Sequence, residues 1–179
     1  MTDDLELRVA EPGDAPELLR VIRAAFSARR PVDPPADALT DDVADIERAL
    51  IDGTGVVGEV AGHLVAGLLL EVDGDVATLR RVSVAPEHAG RGVAKLIVEG
   101  ALTLAVDMGA RRVEIMAREE FPEILTWWRE HGFEVTAQVP HGYTMGRDLP
   151  VIVDVPTADH MHALGARLAG HAQHAAPLV

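Results

Sequence analysis

The chain has 179 residues, of which 48% are apolar, 25% charged and only 3% aromatic, which suits one globular domain with a core of Val, Leu, Ile and Ala. Its formal charge of −13 repels phosphates, so it argues against non-specific binding to nucleic acid or an anionic membrane. That charge fits a cationic or amine-bearing substrate, although an acidic surface also serves solubility alone. Without cysteine the chain has no disulfide framework, thiol nucleophile or cysteine-based zinc site. The acidic start Met1-Thr2-Asp3-Asp4-Leu5 lacks an apolar signal core, and no run of about 18 apolar residues occurs. A cytoplasmic protein without membrane contact is the expectation.

Leu5, Leu7 and Val9 alternate with polar residues and predict a first strand, which Pro12-Gly13 interrupts. Asp14 and Glu17 then resemble the opening of a capping box. Leu18, Leu19, Ile22 and Phe26 share one face of a helix from about Asp14 to Phe26. Pro31, Pro34 and Pro35 mark a mobile connection, and Thr40 is placed to cap a second helix carrying Val43, Ile46 and Leu50. Val56, Val57 and Val60, a turn at Gly62-His63 and the apolar run Leu64 to Leu70 read as an antiparallel hairpin. Leu79, Val82 and Val84 form the next strand, ending at Pro86. A long helix follows from about Gly92 to Met108, closed by Gly109. Val113 and Ile115 make a further strand, and Pro122 opens a helix to Arg129 that Gly132 stops. Phe133 to Val139 and Tyr143 to Leu149 are the last two strands. This order is α+β and not a repeating βαβ pattern. Residues 1–150 form the expected main domain. Residues 151–179, richer in Ala and His, form an appended extension with a helix from about Asp159 to His174.

The segment Val82-Ser83-Val84-Ala85-Pro86-Glu87-His88-Ala89-Gly90-Arg91-Gly92-Val93-Ala94-Lys95 runs from strand through a glycine-rich turn into a helix. Backbone N–H groups at such a helix start, together with the helix dipole, can hold a diphosphate, and Arg91 and Lys95 add charge. A tight strand-to-helix connection would use the same glycines. The dinucleotide fingerprint lacks its third glycine here, and no Gly-x4-Gly-Lys-Ser/Thr sequence occurs.

Leu79 to Lys95, continued through the helix to Gly109, resembles the central motif of the GCN5-related N-acetyltransferases. That motif reads Arg/Gln-x-x-Gly-x-Gly/Ala. Gly92 and Ala94 match it, whereas Ala89 stands at its first position. Trp128-Arg129-Glu130-His131-Gly132-Phe133 is similar to the family's later aromatic-x-x-x-Gly-Phe segment, and the order of elements agrees from about Leu5 to Leu149. The resemblance implies a mixed, mostly antiparallel sheet flanked by helices, with acetyl-CoA as cofactor. Backbone around Val82, Ser83 and Val84 would pair with the pantetheine arm. The amides of Ala89, Gly90, Arg91, Gly92, Val93, Ala94 and Lys95 would bind the pyrophosphate. An amine of a small molecule or a protein N-terminus would attack the thioester directly, so the reaction needs orientation, a base for the amine and an acid for the thiolate.

Two positions depart from the family pattern. Trp128 stands where a tyrosine often serves as acid, and an indole N–H does not titrate near neutral pH. Phe121 stands where an asparagine often holds the cofactor. The lone tyrosine, Tyr143, is then the candidate acid, with a packed strand aromatic as its structural alternative. Glu71, Glu114, His131 and His141 are candidate bases, of which Glu71 and His141 are favoured. Trp127 and Trp128 cannot share a helix face, and Trp128 is expected to line a cleft that receives substrate. Arg80-Arg81 reads as a solvated strand edge or a charge-recognition pair. His160, His162, His171 and His174 lack carboxylate or cysteine partners nearby, and no metal is expected.

Residues Val155 to Ala169 resemble the opening helix of the bacterial ATPase subunit that supports threonylcarbamoyl-adenosine tRNA modification. Two functions therefore stand side by side: an N-acetyltransferase acting on an amine, and a non-catalytic CoA-binding module regulating a tRNA-modification partner. Direct nucleic-acid binding is not expected under either, and a homodimer is left open.

Overall fold

The computed structural model describes residues 5–151, within which seven strands form one sheet in the order β1-β2-β3-β4-β5-β7-β6. The strands are β1 (Leu5–Val9), β2 (Thr54–Val60), β3 (His63–Asp73), β4 (Val76–Val84), β5 (Arg112–Arg118), β6 (Glu134–Val139) and β7 (Gly142–Asp148). The helices are α1 (Ala15–Ser27), α2 (Val43–Asp52), α3 (Val93–Asp107) and α4 (Pro122–Glu130). Every neighbouring pair of strands is antiparallel except β4 with β5. That pair is parallel because α3 carries the chain back between them, as a parallel crossover requires.

The helices cover both faces of the sheet. Leu18, Leu19 and Ile22 of α1 and Ile46 and Leu50 of α2 pack against Val57, Leu64 and Leu69. On the other face Ile97, Ala101 and Leu104 of α3 and Leu125 and Trp128 of α4 meet Leu68, Leu79, Val113, Ile115 and Met145. Burial of each large aliphatic side chain contributes about 2 kcal/mol, so these two layers, and not propensity, hold the helices in place. α3 buries residues around most of its circumference, from Val93 and Ile97 to Leu104 and Ala105. A helix this apolar reads as buried.

The elements follow the sequence reading closely, with local corrections. Thr40 does not cap α2. Asp42 does, accepting from the Asp45 N–H at 2.9 Å while Asp45 accepts from the Asp42 N–H at 3.0 Å. Thr40 closes the short 3-10 turn before it, its hydroxyl donating to the Asp37 carbonyl at 2.9 Å. The β2–β3 turn is Ala61-Gly62, both with positive φ, and His63 already belongs to β3. Two successive residues of that kind match the right-handed twist of a hairpin. The expected helix and histidines of the extension lie outside the described residues.

Candidate active site

The parallel pairing of β4 and β5 is brief. It joins Val76, Ala77 and Thr78 to Arg112, Val113 and Glu114, and beyond these residues the two strands part. β4 continues along β3 and β5 continues along β7, so their inner edges face each other across an open gap. The Ala85 N–H donates to Val65 of β3 at 2.8 Å. Strand alternation from that bond turns the N–H and C=O groups of Val82 and Val84 into the gap, and those of Ser83 toward β3. An extended ligand entering the gap thus finds unpaired backbone, as at a sheet edge.

β4 is bulged at the start of this gap. Gly67 lies opposite Ser83 while Leu69 lies opposite Arg80, which leaves one extra residue on β4. Arg81 takes φ +57° there. It is held by a paired contact with Asp41, at 2.6 and 3.1 Å, and the buried Ser83 hydroxyl donates to the Arg81 carbonyl at 2.7 Å. Counting on from the last pair, Thr78 with Glu114, and allowing for the bulge, Val82 comes level with Ala117. Ala117 in turn pairs with Tyr143 of β7. Val82, the gap, Ala117 and Tyr143 therefore stand in one row.

After β4 a short 3-10 turn, Pro86–His88, leads to the helix start at α3. Gly92 is its N-cap residue at φ +79°, ψ 0°, with nothing within 4 Å of where a Cβ would stand. Glycine adopts this left-handed conformation without the side-chain clash that other residues meet. Ala89, Gly90, Arg91 and Lys95 are exposed around it, so the first N–H groups of α3 open to solvent beside the mouth of the gap.

The candidate acid–base residues are spread over this frame. Tyr143 is half-buried and packs against the α3–α4 core. His141 is exposed at the turn into β7, with φ +63°, and its carbonyl accepts from the Glu119 N–H at 3.2 Å. Its charge helps to hold the Glu120 carboxyl below the usual range, an effect dominated by the hydrogen bond from Arg118. Glu71 is paired with Arg80 at 2.7 Å and lies opposite Thr78, level with the last β4–β5 pair. Three ladder steps put it about 10 Å short of the row containing Tyr143. It lines a separate charged cavity of about 380 Å³ under α2, together with Asp41, Asp45, Arg48, Arg80 and Arg81. Glu114 is engaged by Arg112 at 3.2 Å. His131 stacks on Trp127 with ring centroids 3.9 Å apart, and its Nδ1 lies 2.7 Å from the Trp127 carbonyl.

The expectation that Trp128 lines a cleft is corrected by its packing, because the ring is only 6% exposed and belongs to the α3–α4 core. The cause is the way α4 ends. Gly132, at φ +82°, donates to the Arg129 carbonyl at 3.0 Å and Phe133 N–H donates to the Trp128 carbonyl at 3.0 Å. This helix stop brings the residue after the glycine against the one five positions before it. The Trp128 and Phe133 rings accordingly meet edge to face at 4.7 Å. Trp127 is the more exposed of the two indoles. Arg80 and Arg81 are both ion-paired; Arg80 is half exposed, as a solvated strand edge would be, whereas Arg81 is largely covered against Asp41.

Sequence reasoning marked the connection between α1 and α2 and missed where it lies. It passes over the ends of both parted strands, tied to β4 through Asp41 and Arg81 and to β5 through Arg118, which donates to the Pro34 carbonyl at 3.0 Å. Beneath it is a second cavity of about 340 Å³ lined by Phe26, Arg29, Val32, Leu39, Arg118 and Phe121, among others. The three prolines marked a mobile connection, but nothing in the sequence said which strands it would cross.

The model of the acetyltransferase (GNAT) family matches residues 16–133. Among solved structures, the PaiA N-acetyltransferase from Thermoplasma acidophilum, in complex with coenzyme A, superposes with a TM-score of 0.72 at 13% identity, over 80% of this chain and 98% of that one. An acetyltransferase of the GNAT family from Streptococcus pneumoniae gives 0.65 at 17% identity, over 82% and 99%. The GNAT domain of S. lividans PAT gives 0.67 at 19%, over 80% and 89%. No curated protein matches the chain. These findings, with the parted strands and the glycine turn, define an acyl-CoA-binding α+β domain. The chain belongs to the acetyltransferase (GNAT) family, and as such is an acyltransferase that uses acetyl-CoA. Nothing in the comparisons supports the resemblance of the extension to an ATPase subunit. Among the described residues no helix is long and apolar enough to cross a membrane.

Proposed function

We propose that the protein moves the acetyl group of acetyl-CoA to a primary amine. The observation that carries this is the row formed by Val82, the gap, Ala117 and Tyr143, lying between the exposed start of α3 and the covered cavity beside β5. The pyrophosphate sits on the N–H groups from Ala89 to Lys95, and the pantetheine arm pairs with the gap-facing groups of Val82 and Val84. Ser83 acts from behind, closing the bulge that sets their direction.

The amine attacks the thioester carbon. A C–N bond forms, the C–S bond breaks, and the ammonium proton passes to a base. The Val82 N–H stabilises the developing oxyanion in this reading. Tyr143 donates its proton to the leaving thiolate, and His141, one turn of chain away at the same end of the sheet, accepts the amine proton, directly or through water. Glu71, tied to Arg80 and level with the closed end of the gap, serves the electrostatics of the α2 cavity in this arrangement. Trp128 supports the site by packing and does not touch the substrate.

The regulatory reading keeps one specific support: the buried Trp128 supplies no phenol at the family's usual position. Calorimetric titration with acetyl-CoA, followed by thiol release against a panel of amines and peptides, separates the two. Binding with turnover establishes the transferase. Binding without turnover to any amine would move the assignment to a CoA-sensing module.

A further inference from the structure

The cavity between the end of α1, the connection to α2 and the end of β5 is lined by three arginines, Arg29, Arg30 and Arg118, whose guanidiniums differ in their surroundings. Arg118 is fully engaged, with Glu120 at 2.6 Å and the Pro34 carbonyl at 3.0 Å. Arg29 is not. Its guanidinium carbon lies 4.1 Å over the Phe26 ring, and among the described residues none of its side-chain N–H groups makes a hydrogen bond. Burial draws its pKa downward, and only the charge of Glu123 opposes that. Glu123 itself pairs with the neighbouring Arg30 at 3.7 Å.

Arginine keeps its charge in proteins, so a half-buried guanidinium stacked on a ring, with no acceptor among the described residues, is a place where a bound anion gains a charge-assisted hydrogen bond. Its planar fork fits the two oxygens of a carboxylate. A dianionic phosphate suits the place less, since Glu120 and Glu123 stand close by and the whole chain carries −13. Of the remaining walls, Phe26, Val32, Leu39 and Phe121 are apolar, while Arg30, already paired with Glu123, lies over the Phe121 ring at 4.9 Å and Ser27 adds a hydroxyl. The size, about 340 Å³, is that of a site for a small molecule and not for a protein surface.

Building on the amine-acetylation reading above, we infer that this cavity receives an acceptor with a carboxylate beside an apolar body, in the form of an apolar α-amino acid. Its carboxylate lies on Arg29, its side chain between Phe26, Leu39 and Phe121, and its amine points toward the gap between β4 and β5. The connection that covers the cavity is anchored to both strands, which places the acceptor over the point where the thioester arrives.

The test uses the full chain with CoA bound and titrates L-leucine, L-methionine and L-phenylalanine against their carboxamides, which keep size and shape but lose the charge. At least one acid should bind about tenfold more tightly than its amide, the scale of one charged hydrogen-bonded pair. In Arg29→Met, which keeps a stem over Phe26, that preference should fall to within about twofold while acetyl-CoA affinity is retained. Arg29→Lys, with charge but no fork, should keep part of it and serves if the methionine variant does not fold. Amides that bind as well as the acids, three acids that fail to bind, or a preference that survives both substitutions would each overturn the inference. Acids that bind through Arg29 and are never acetylated would leave this site standing and remove the transferase reading. Other amines acetylated while the acids are ignored would do the reverse.

Discussion

Replacing Gly92 by alanine tests the glycine turn most directly, because the structure contains its own control. Gly92 has φ +79° and Gly62, in the β2–β3 turn, has φ +77°, and neither has any atom within 4 Å of an added Cβ. Both substitutions impose the same left-handed backbone on alanine, at a cost of about 1–2 kcal/mol, without a clash. For a chain of this size that lowers Tm by about 2–4 °C per kcal/mol in each variant alike. Only at Gly92 does the methyl stand at the open start of α3, where a diphosphate must come close to the backbone. Losing one charge-assisted hydrogen bond there, about 1.5–3 kcal/mol, raises the Kd for acetyl-CoA roughly 10-fold to 100-fold. Thermal melts and calorimetric titrations of both proteins give the comparison. If Gly92→Ala binds acetyl-CoA as well as Gly62→Ala does, the α3 turn does not hold the cofactor and the assignment fails.

Tyr143→Phe should lower turnover by about 100-fold or more with acetyl-CoA affinity unchanged, as for a lost acid; an undiminished kcat in steady-state assays removes that role. At the bulge, Arg81→Ala loses the Asp41 pair and keeps the positive φ, whereas Arg81→Gly loses the pair and relieves the backbone. Urea melts should therefore show the glycine variant as the more stable by about 1 kcal/mol, and the opposite order would contradict strain at Arg81. Asp14 is held below the usual carboxyl range first by its hydrogen bond from Arg8. A depressed carboxyl contributes stability above its unfolded pKa and loses it as pH falls through the folded one. Asp14→Asn should thus be less stable than wild type near neutrality, by less than about 1 kcal/mol given the exposure of Arg8. That difference should close between about pH 5 and about pH 2 in denaturation curves. A gap that persists at low pH would mean that charge is not its source.

Much of the frame was legible because it is written in short-range chemistry. The alternation of Leu5, Leu7 and Val9, the helix stops at Gly109 and Gly132 and the turn around Gly92 all act within a few residues of their own position. Local sterics and backbone hydrogen bonding decide them before any tertiary contact forms. The same holds for the glycine motif that points to the cofactor. Even the fate of Trp128 was available in principle, since the Gly132-Phe133 stop that buries its ring is contiguous with it. The family position of that residue suggested a cleft, and the local geometry decided for the core.

The remainder depended on which segments cross in space. Nothing near Tyr143 in the chain says that it stands level with Val82, because that row is set by a bulge on β4 and by the insertion of β7 beside β5. Glu71 looked as suitable as His141 until the register placed it at the closed end of the gap. Arg29, Arg80, Arg81 and Arg118 are equivalent as letters, and three of them are neutralised by partners while Arg29, among the described residues, lines a cavity without an acceptor for its guanidinium. By itself the sequence determined the elements and the glycine turn, since those energies are local. Only the tertiary structure decided which charges are spent and which are free, because pairing and desolvation depend on neighbours that the chain brings together from far apart.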